Sequence, residues 1–482
     1  MADEKPLVLD VDGTFLKTDI LYECFWAGLG QDPLATLKAS LAHLRHPARL
    51  KRALCEITDL RTDLLPVNPE IADLARQMAA EGREVVLASA SDARIVSRLA
   101  ADHGLSERVF ASDGEINLKG AAKAEALVEA YGEEGFHYAG NDRSDKAIWD
   151  HADGVIVVGD LPRIEQSLLA AGREVAKYPG GWRWRDLLRA LRPHQWVKNV
   201  LLFLPMLAAH DFSLHTFLLV LLGIISFSAA ASAIYIVNDL LDLEADRLHV
   251  KKRHRPFASG AVPIRAGMAA FVFLVAFALG IGAWLGGPFL LTLIAYMLLS
   301  LAYSLKLKRM RWVDIAVLAT LYTLRVVAGA AASRVDASVF MLIFIFPVFF
   351  TLGAVKRMTE LALAKDDARL PGRGYGRADR DDLLNMAGIG IAAALVIFFL
   401  YSFTDQARTL YPTRWLLWVA LVPIAWWLIR MVRLGYLGRQ DYDPIVFALS
   451  DKRGLGLIML VLSLMFYAAG LWQEWFAALF GG

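Results

Sequence analysis

Apolar and polar positions follow two different patterns along this chain. From about residue 195 onward, long apolar runs recur between short polar loops. Nine of these runs are expected to be spans, at 196–210, 214–238, 265–285, 288–305, 312–332, 338–356, 383–403, 414–434 and 455–475. A hydrocarbon core of roughly 30 Å needs about 20 apolar residues in a helix. Backbone at that depth finds no water to bond, so helices are the element these runs dictate. The first run is the weakest, because LLFLPMLAA is short and holds Pro205. Before residue 165 the pattern is that of a soluble domain. Short apolar stretches such as LVLD and REVVLAS alternate with helical ones, which predicts an α/β fold around a parallel sheet. Between the halves, Trp182, Arg183, Trp184 and Arg185 precede spaced apolar residues. That segment reads either as an amphipathic connector at a membrane interface or as a plain linker. The expected division is a soluble domain over 1–165, a connector over 166–194 and a membrane domain over 195–482.

Composition sharpens this division. The 482 residues are 56% hydrophobic and the net charge is only +2, so bulk electrostatics does not point to nucleic acid. The two cysteines, Cys24 and Cys55, form no metal-binding spacing and no disulfide framework, which suits a reducing cytoplasm. The opening MADEKPLVLDVDGT is too acidic for a signal peptide. Loops after the even-numbered spans carry Lys251, Lys252, Arg253, Lys306, Lys308, Arg309, Arg373 and Lys452, whereas the other loops hold little beyond Arg334, Arg408 and Arg414. The positive-inside rule places the basic loops and the N-terminal domain in the cytoplasm. The expected location is a bacterial plasma membrane, with several passes.

One of those loops carries most of the chemistry. It reads NDLLDLEADRLHVKKRHRPFASG from Asn238. Asp239, Asp242 and Asp246 fall at i, i+3 and i+7, which on a continuous helix puts three carboxylates on one face. Such a cluster beside a membrane repels itself unless a cation intervenes, and hard oxygen donors suit Mg²⁺ together with substrate phosphate. Lys251, Lys252, Arg253 and Arg255 follow at once. The alternative is a solvated, charged inter-helix loop. Arg192, Lys198 and Asn199 are expected at the same mouth, with Trp196 as an interface anchor. Tyr303, Ser304, Lys306, Lys308, Lys356, Arg357, Glu360, Arg373 and Tyr375 join them from later loops. Arg325 lies inside a span, where an arginine is costly and serves either function or an internal ion pair.

N-D-x-x-D-x-x-x-D followed by H-x-x-K-x-x-R-P, here Asn238, Asp239, Asp242, Asp246, His249, Lys252, Arg255 and Pro256, resembles the UbiA superfamily of intramembrane prenyltransferases. The resemblance covers roughly 190–480 and implies nine helices. Within it, RPxQWxKN (Arg192 to Asn199), YSxxLK (Tyr303 to Lys308) and LRxxAG (through Arg325 to Gly329) are most similar to decaprenyl-phosphate phosphoribosyltransferases. This implies transfer of phosphoribose from phosphoribosyl pyrophosphate (PRPP) to a polyprenyl phosphate, with Mg²⁺ on the pyrophosphate. The implied metal ligands are Asp239, Asp242 and Asp246, of which Asp239 and Asp242 are essential to catalysis. The implied substrate ligands are Lys198, Asn199, Asn238, Lys252, Arg255, Tyr303, Lys306, Lys308, Arg325, Lys356 and Arg357. A second Asp-rich cluster, usual in quinone-type members, is represented only by Asp314 and a basic loop. Prenyl transfer from a polyprenyl diphosphate to a small acceptor is the alternative enzyme, and a transporter is the alternative from another class. Oligomerisation is left open.

In the soluble half, LVLDVDGT delivers Asp10 and Asp12 to a turn at Gly13. REVVLASAS ends a strand at Ser89, NLKGAAKAEAL supplies Lys123, and HYAGNDRSDKAIW supplies Asn141 and Asp145. The four segments, in this order, resemble the motifs of haloacid dehalogenase (HAD) phosphatases, with 18 to about 66 as a helical cap. The resemblance implies an Asp10 nucleophile, an Asp12 acid/base, Ser89 and Lys123 on the phosphate, and Mg²⁺ on Asp10, Asp12, Asn141 and Asp145. The fourth motif departs from the family's Gly-Asp, because Gly140 is followed by Asn141. The alternative is a degenerate domain kept for packing or regulation. The overall expectation is an α/β HAD-like (Rossmannoid) domain followed by an all-α, UbiA-like domain of nine transmembrane helices. Its two halves would make a lipid-linked ribose 5-phosphate and then dephosphorylate it.

Overall fold

The computed structural model describes residues 5–335, 338–364, 374–440 and 443–480. It comprises two compact units, Met1–Leu191 with Tyr235–Val272, and Arg192–Ile234 with Phe273–Gly482.

The first unit is built on a six-stranded parallel sheet in the order β3-β2-β1-β4-β5-β6. The strands are β1 (Leu7–Asp10), β2 (Val85–Asp92), β3 (Val109–Ser112), β4 (His137–Gly140), β5 (Gly154–Val158) and β6 (Val175–Tyr178). Leu7 pairs with Val85 on one side and His137 on the other, so β1 lies between strands reached in opposite directions. Ligands of open α/β sheets bind at such a switch point, beyond the carboxyl ends of the strands. The alternation within β1 supplies both cores. Leu7 and Leu9 pack with Ile71, Val96 and Leu99, while Val8 packs with Leu127, Tyr138 and Trp149 on the opposite face.

Three helices, α1 (Ile20–Gln31), α2 (Pro33–His43) and α3 (Pro47–Ile57), follow β1 before the sheet resumes. Asp19 starts α1 by accepting hydrogen bonds from the backbone of Leu21 and Tyr22, and Asp32 starts α2 ahead of Pro33. The crossover and flanking helices are α4 (Pro69–Ala80), α5 (Ala93–Asp102), α6 (Ala121–Tyr131), α7 (Lys146–Trp149), α8 (Pro162–Ala170) and α9 (Trp184–Ala190).

The remaining chain is helical. A 3₁₀ stretch over Pro193–Phe203 leads into α10 (Leu204–Ala208). Then come α11 (Leu214–Leu241), the short α12 (Leu243–Leu248), α13 (Ile264–Leu285), α14 (Gly287–Leu305), α15 (Val313–Ser333) and α16 (Val339–Leu363). After these lie α17 (Arg380–Tyr401), α18 (Asp405–Leu410), α19 (Trp415–Tyr436), α20 (Pro444–Ser450), α21 (Lys452–Ala468) and α22 (Leu471–Phe480). Among the described residues, seven helices are long and apolar enough to cross a membrane, or eight if α21 and α22, bent by 77°, count as one span. Nine is therefore not reached. The run at 196–210 is divided between the 3₁₀ stretch and a five-residue helix holding Pro205, and neither piece has the length of a span. Helix α16 runs past its expected end at 356 to Leu363, because Arg357 and Glu360 pair with each other inside it. The protein is a multi-pass membrane protein.

Candidate functional site

The loop read as a metal site belongs to the first unit. Helix α11 extends to Leu241, so Asn238 and Asp239 are helical. The helix then breaks at Asp242, which precedes α12, and the continuous acidic face expected from the spacing is not formed. Asp239 and Asp246 nevertheless meet. Arg255 Nη1 lies 3.1 Å from Asp239 Oδ1 and 2.7 Å from Asp246 Oδ2, and both carboxylates are almost fully buried. Burial pushes the Asp246 carboxyl up, and the Arg255 charge opposes that shift without cancelling it. No cluster of three or more His, Cys, Asp or Glu side chains is preformed among the described residues. Mg²⁺ needs only one or two carboxylates beside phosphate oxygens, so Asp239 and Asp246 suit that ion once Arg255 moves from between them to the phosphates. Lys252 lies on the exposed 3₁₀ turn Lys252–His254.

The neighbour of Asp246 has a different task. Arg247 donates to both oxygens of Glu23 on α1, at 3.0 and 2.6 Å, and through Nε to the Ala258 carbonyl at 3.1 Å. Thr18 Oγ1 donates to the same Glu23 at 2.7 Å. Glu23 and Arg247 were not singled out in the sequence. Each looks like an ordinary surface charge locally, and only the fold shows that they are partners.

At the carboxyl end of β1, the four N-terminal motifs converge. Lys123 Nζ donates to Asp10 Oδ1 at 2.6 Å and to the Ala88 carbonyl at 3.3 Å. Burial pushes the Asp10 carboxyl up, Lys123 opposes this, and the carboxylates of Asp145 and Asp12 add to the rise, leaving it at about 7. Asp12 accepts from the backbone of Ile20 at 2.8 Å and from the hydroxyls of Ser89 and Ser91 at 3.2 and 3.0 Å. Ser89 is fully buried, so here it orients Asp12. Asp145 accepts from the backbone of Asn141 and Asp142, and from the Tyr138 hydroxyl at 3.1 Å. The Asn141 side chain lies against Gly13, whose φ of +82° and lack of a β-carbon make room for it. Asp142 turns away to cap Ser144. Asp10, Asp12, Asn141 and Asp145 thus lie at one end of the sheet. Their oxygens are the donor type a hard divalent cation takes, but among the described residues they are not preformed as a cluster of metal ligands.

The second unit holds a cluster of cations. Lys198, almost fully buried, is ion-paired with Asp443, which also caps α20. Burial pushes the Asp443 carboxyl up, but Lys198 and Lys356 outweigh it and hold the group below the usual carboxylate range. Lys356 is half-buried and makes no hydrogen bond or ion pair with the described residues. Arg325 donates to neutral partners: Asn199 Oδ1 at 3.0 Å, the Leu321 carbonyl at 2.8 Å and the Tyr296 hydroxyl at 3.0 Å. The expected alternative for Arg325, an internal carboxylate pair, is not formed among the described residues. Asn199 in turn donates to Ser228 at 2.8 Å.

Arg357 and Tyr303 are engaged differently. Arg357, fully buried, donates to Asp314 at 2.5 and 2.9 Å and to the Tyr303 hydroxyl at 2.9 Å, and it pairs with Glu360. Tyr303 donates to Asp314 at 2.9 Å. Asp314 and Glu360 thus both pair with Arg357 in a network joining α14, α15 and α16. Lys306 is exposed at the end of α14 and Lys308 lies on the following 3₁₀ turn. Tyr375 packs fully buried and donates its geometry to the same region by accepting from the Trp312 backbone at 2.8 Å. Arg373 lies outside the described residues.

A cavity of about 640 Å³ opens in the second unit, lined by Leu204, Met341, Phe344, Val348, Phe398 and Trp427 among others. Leu204, Phe344, Val348 and Trp427 pack in one cluster with Tyr322 and Ile445. The Tyr322 ring lies 6.0 Å from Lys198 Nζ and 5.4 Å from the Arg325 guanidinium. Tyr322 thus lies beside the cations and belongs to the same packed cluster as several residues that line the apolar cavity.

Residues 200–450 match the UbiA prenyltransferase family. The protein y4nM of Sinorhizobium fredii is 34% identical over 455 residues, covering 93% of this chain and 88% of that protein. A decaprenyl-phosphate phosphoribosyltransferase of Mycobacterium tuberculosis is 40% identical over 191 residues, covering 37% of this chain and 61% of that protein. A UbiA homolog from Archaeoglobus fulgidus, solved bound to GPP and Mg²⁺, aligns with a TM-score of 0.45 at 16% identity, over 59% of this chain and 99% of that one. By the family match and the near-full-length relative, the chain belongs to the UbiA prenyltransferase family.

Proposed function

We propose that the membrane domain transfers 5-phosphoribose from PRPP to a polyprenyl phosphate on the cytoplasmic side of a bacterial plasma membrane, and that the N-terminal domain is a HAD-type phosphatase acting on the product. One observation carries the first part: among the described residues of the second unit, Lys198 and Lys356 act on one carboxylate, Asp443, while Arg325, near the same Tyr322 ring as Lys198, bonds only neutral groups. Unmatched positive charge at membrane depth is costly unless an anion completes it. Phosphates supply that anion, and the apolar cavity beyond Tyr322 suits a polyprenyl chain. The named activity of the mycobacterial relative supports the same reading.

In the transfer, a phosphate oxygen of the lipid attacks the ribose C1. The C1–O bond to pyrophosphate breaks and pyrophosphate leaves with the electron pair. The lipid phosphate is already an anion, so no general base is needed. Asp239, Asp242 and Asp246 would hold Mg²⁺, which neutralises the leaving group when bound. Lys198, Arg325 and Lys356 fix phosphates and stabilise charge that grows as the bond breaks. Asn199 holds Arg325 in place. Asn238, Lys252, Arg255, Lys306 and Lys308 supply further polar and cationic contacts, while Arg357 and Tyr303 maintain the helix network.

In the hydrolytic step, Asp10 attacks the phosphorus of the 5-phosphate and Asp12 protonates the departing ribose oxygen. Water then releases inorganic phosphate from Asp10. Lys123 neutralises charge at the nucleophile, and Ser89 and Ser91 aim Asp12. Asp10, Asp12, Asn141 and Asp145 would hold the Mg²⁺ that screens the incoming phosphate.

The test is mass spectrometry of lipids after reconstituted full-length protein is incubated with PRPP, Mg²⁺ and polyprenyl phosphate. Lipid-linked ribose, with or without its 5-phosphate, is expected. Turnover only with a polyprenyl diphosphate and a small acceptor, or flux without a covalent product, overturns the reading.

A further inference from the structure

Helix α2 has the polarity of its faces reversed for a soluble domain. Its inward contact is polar: Thr36 is fully buried and fills the space beside Gly28 of α1. Its outward positions are apolar. Leu34, Leu37, Leu41 and the following Leu44 are 72%, 47%, 78% and 71% exposed. Their spacing of three, four and three residues puts them on one helical face. Among the described residues of the first unit, no other stretch exposes four leucines in that register.

The charge around this stripe has one sign. Between Asp32 and Glu56 there is no acidic residue, while Lys38, Arg45 and Arg49 are all exposed there. An apolar stripe flanked by cations is the pattern of a helix that lies in a membrane interface. The fold also brings α2 to that interface. Gly30, three residues before Pro33, abuts the end of α11, where a β-carbon would sit 3.9 Å from the Leu241 carbonyl oxygen. Helix α11 has 28 residues, about 42 Å at 1.5 Å each, so it outruns a hydrocarbon core of roughly 30 Å. Its final turn carries the polar Asn238 and Asp239, which belong outside the hydrocarbon, and α2 starts beside it.

We propose that α2 docks on the surface of the bilayer that holds the chain, with Leu34, Leu37, Leu41 and Leu44 among the acyl chains and Lys38, Arg45 and Arg49 on anionic lipid headgroups. This tethers the N-terminal domain to the surface that carries its membrane helices. It rests on the spans and the α2 surface, and holds whether or not the transferase reading does.

The experiment is amide hydrogen exchange over residues 33–46 of full-length protein in nanodiscs. One set is phosphatidylcholine alone and the other contains roughly 30% phosphatidylglycerol. Exchange about tenfold slower in the anionic discs is expected. Leu37→Glu with Leu41→Glu, both at exposed positions, should abolish that protection while leaving exchange in the sheet unchanged. Lys38→Glu with Arg45→Glu should remove the difference between the two lipids. Equal exchange in the two lipid mixtures for the wild type overturns the proposal. Protection that requires two chains per disc also overturns it, and assigns the stripe to a second copy of the chain.

Discussion

Glu23 and Arg247 form a two-point ion pair across 224 residues of sequence, with side chains only 2% and 7% exposed. The pair ties the first helix of the N-terminal domain to the helix that carries Asp246. Gly260, at φ +69°, packs nearby against Lys17 and Pro66, where a β-carbon would come within 2.6 Å of Lys17. Breaking a buried pair on one side leaves an uncompensated charge, at a cost of about 3–5 kcal/mol. Glu23→Ala should destabilise the protein by that order. Glu23→Leu combined with Arg247→Met should recover much of the loss, because neither charge remains. Thermal unfolding of the wild type, Glu23→Leu, Arg247→Met and the double variant, set out as a double-mutant cycle, measures the coupling. Additive losses would show that the pair contributes nothing.

Asp239→Asn and Asp246→Asn each leave Arg255 with one carboxylate partner. Release of pyrophosphate from PRPP should fall by at least about a hundredfold in each, as expected when a metal-neutralised leaving group loses a ligand. The variants should still insert and remain monodisperse. Near-normal release in either would remove these carboxylates from the transfer site.

Lys198→Met leaves Asp443 with one fewer cation, whereas Lys356→Met breaks no hydrogen bond or ion pair with the described residues. Both should raise the KM for PRPP more than the KM for lipid, by about tenfold or more for a charge-assisted phosphate contact. The opposite ranking would favour a lipid diphosphate as the substrate held there. Asp443→Asn tests the pair from its other side and should loosen Lys198 and the start of α20 together.

Asp10→Asn should leave phosphoribosyl transfer intact and cause the 5-phosphorylated lipid to accumulate. Asn141→Asp adds a carboxylate to the same group of donors and should maintain or raise hydrolysis. Lipid mass spectrometry reads both. Identical product profiles for the wild type and Asp10→Asn would mean that the domain does not hydrolyse this lipid.

Asp19 gives a pH prediction. Burial and the Asp12 carboxylate push its carboxyl up to about 7, against hydrogen bonds from the Tyr22 and Leu21 backbone. A carboxyl raised in the folded state stabilises the fold fully below its unfolded pKa, near 4. That contribution is lost as pH rises through 7. In EDTA, the wild-type protein should therefore lose stability between pH 4 and 8, and Asp19→Asn should lose less, by on the order of 1–3 kcal/mol at pH 8. Asparagine still caps α1, so the variant keeps the helix start. Parallel stability curves for the two proteins would refute the assignment.

What the chain states by itself is local. Apolar runs of membrane length predict helices because nothing else satisfies backbone in hydrocarbon, and seven of the nine expected runs return as single long helices. The strand leading to Asp10, and the order of the segments carrying Ser89, Lys123 and Asp145, are likewise readable, since β-strands and their turns leave short-range patterns. Tertiary structure decided what those patterns could not encode. Spacing alone put Asp239, Asp242 and Asp246 on one face, but the helix breaks at Asp242 and Arg255 draws two of the three together. Arg357 gave no hint in its own segment that Asp314, 43 residues away, would pair with it. Asp443 and Glu23 carry no local signal at all, because a charge finds its distant partner only through the packing that buries both. Periodicity records which way a side chain faces along its own element, whereas pairing across elements depends on where the other element comes to rest.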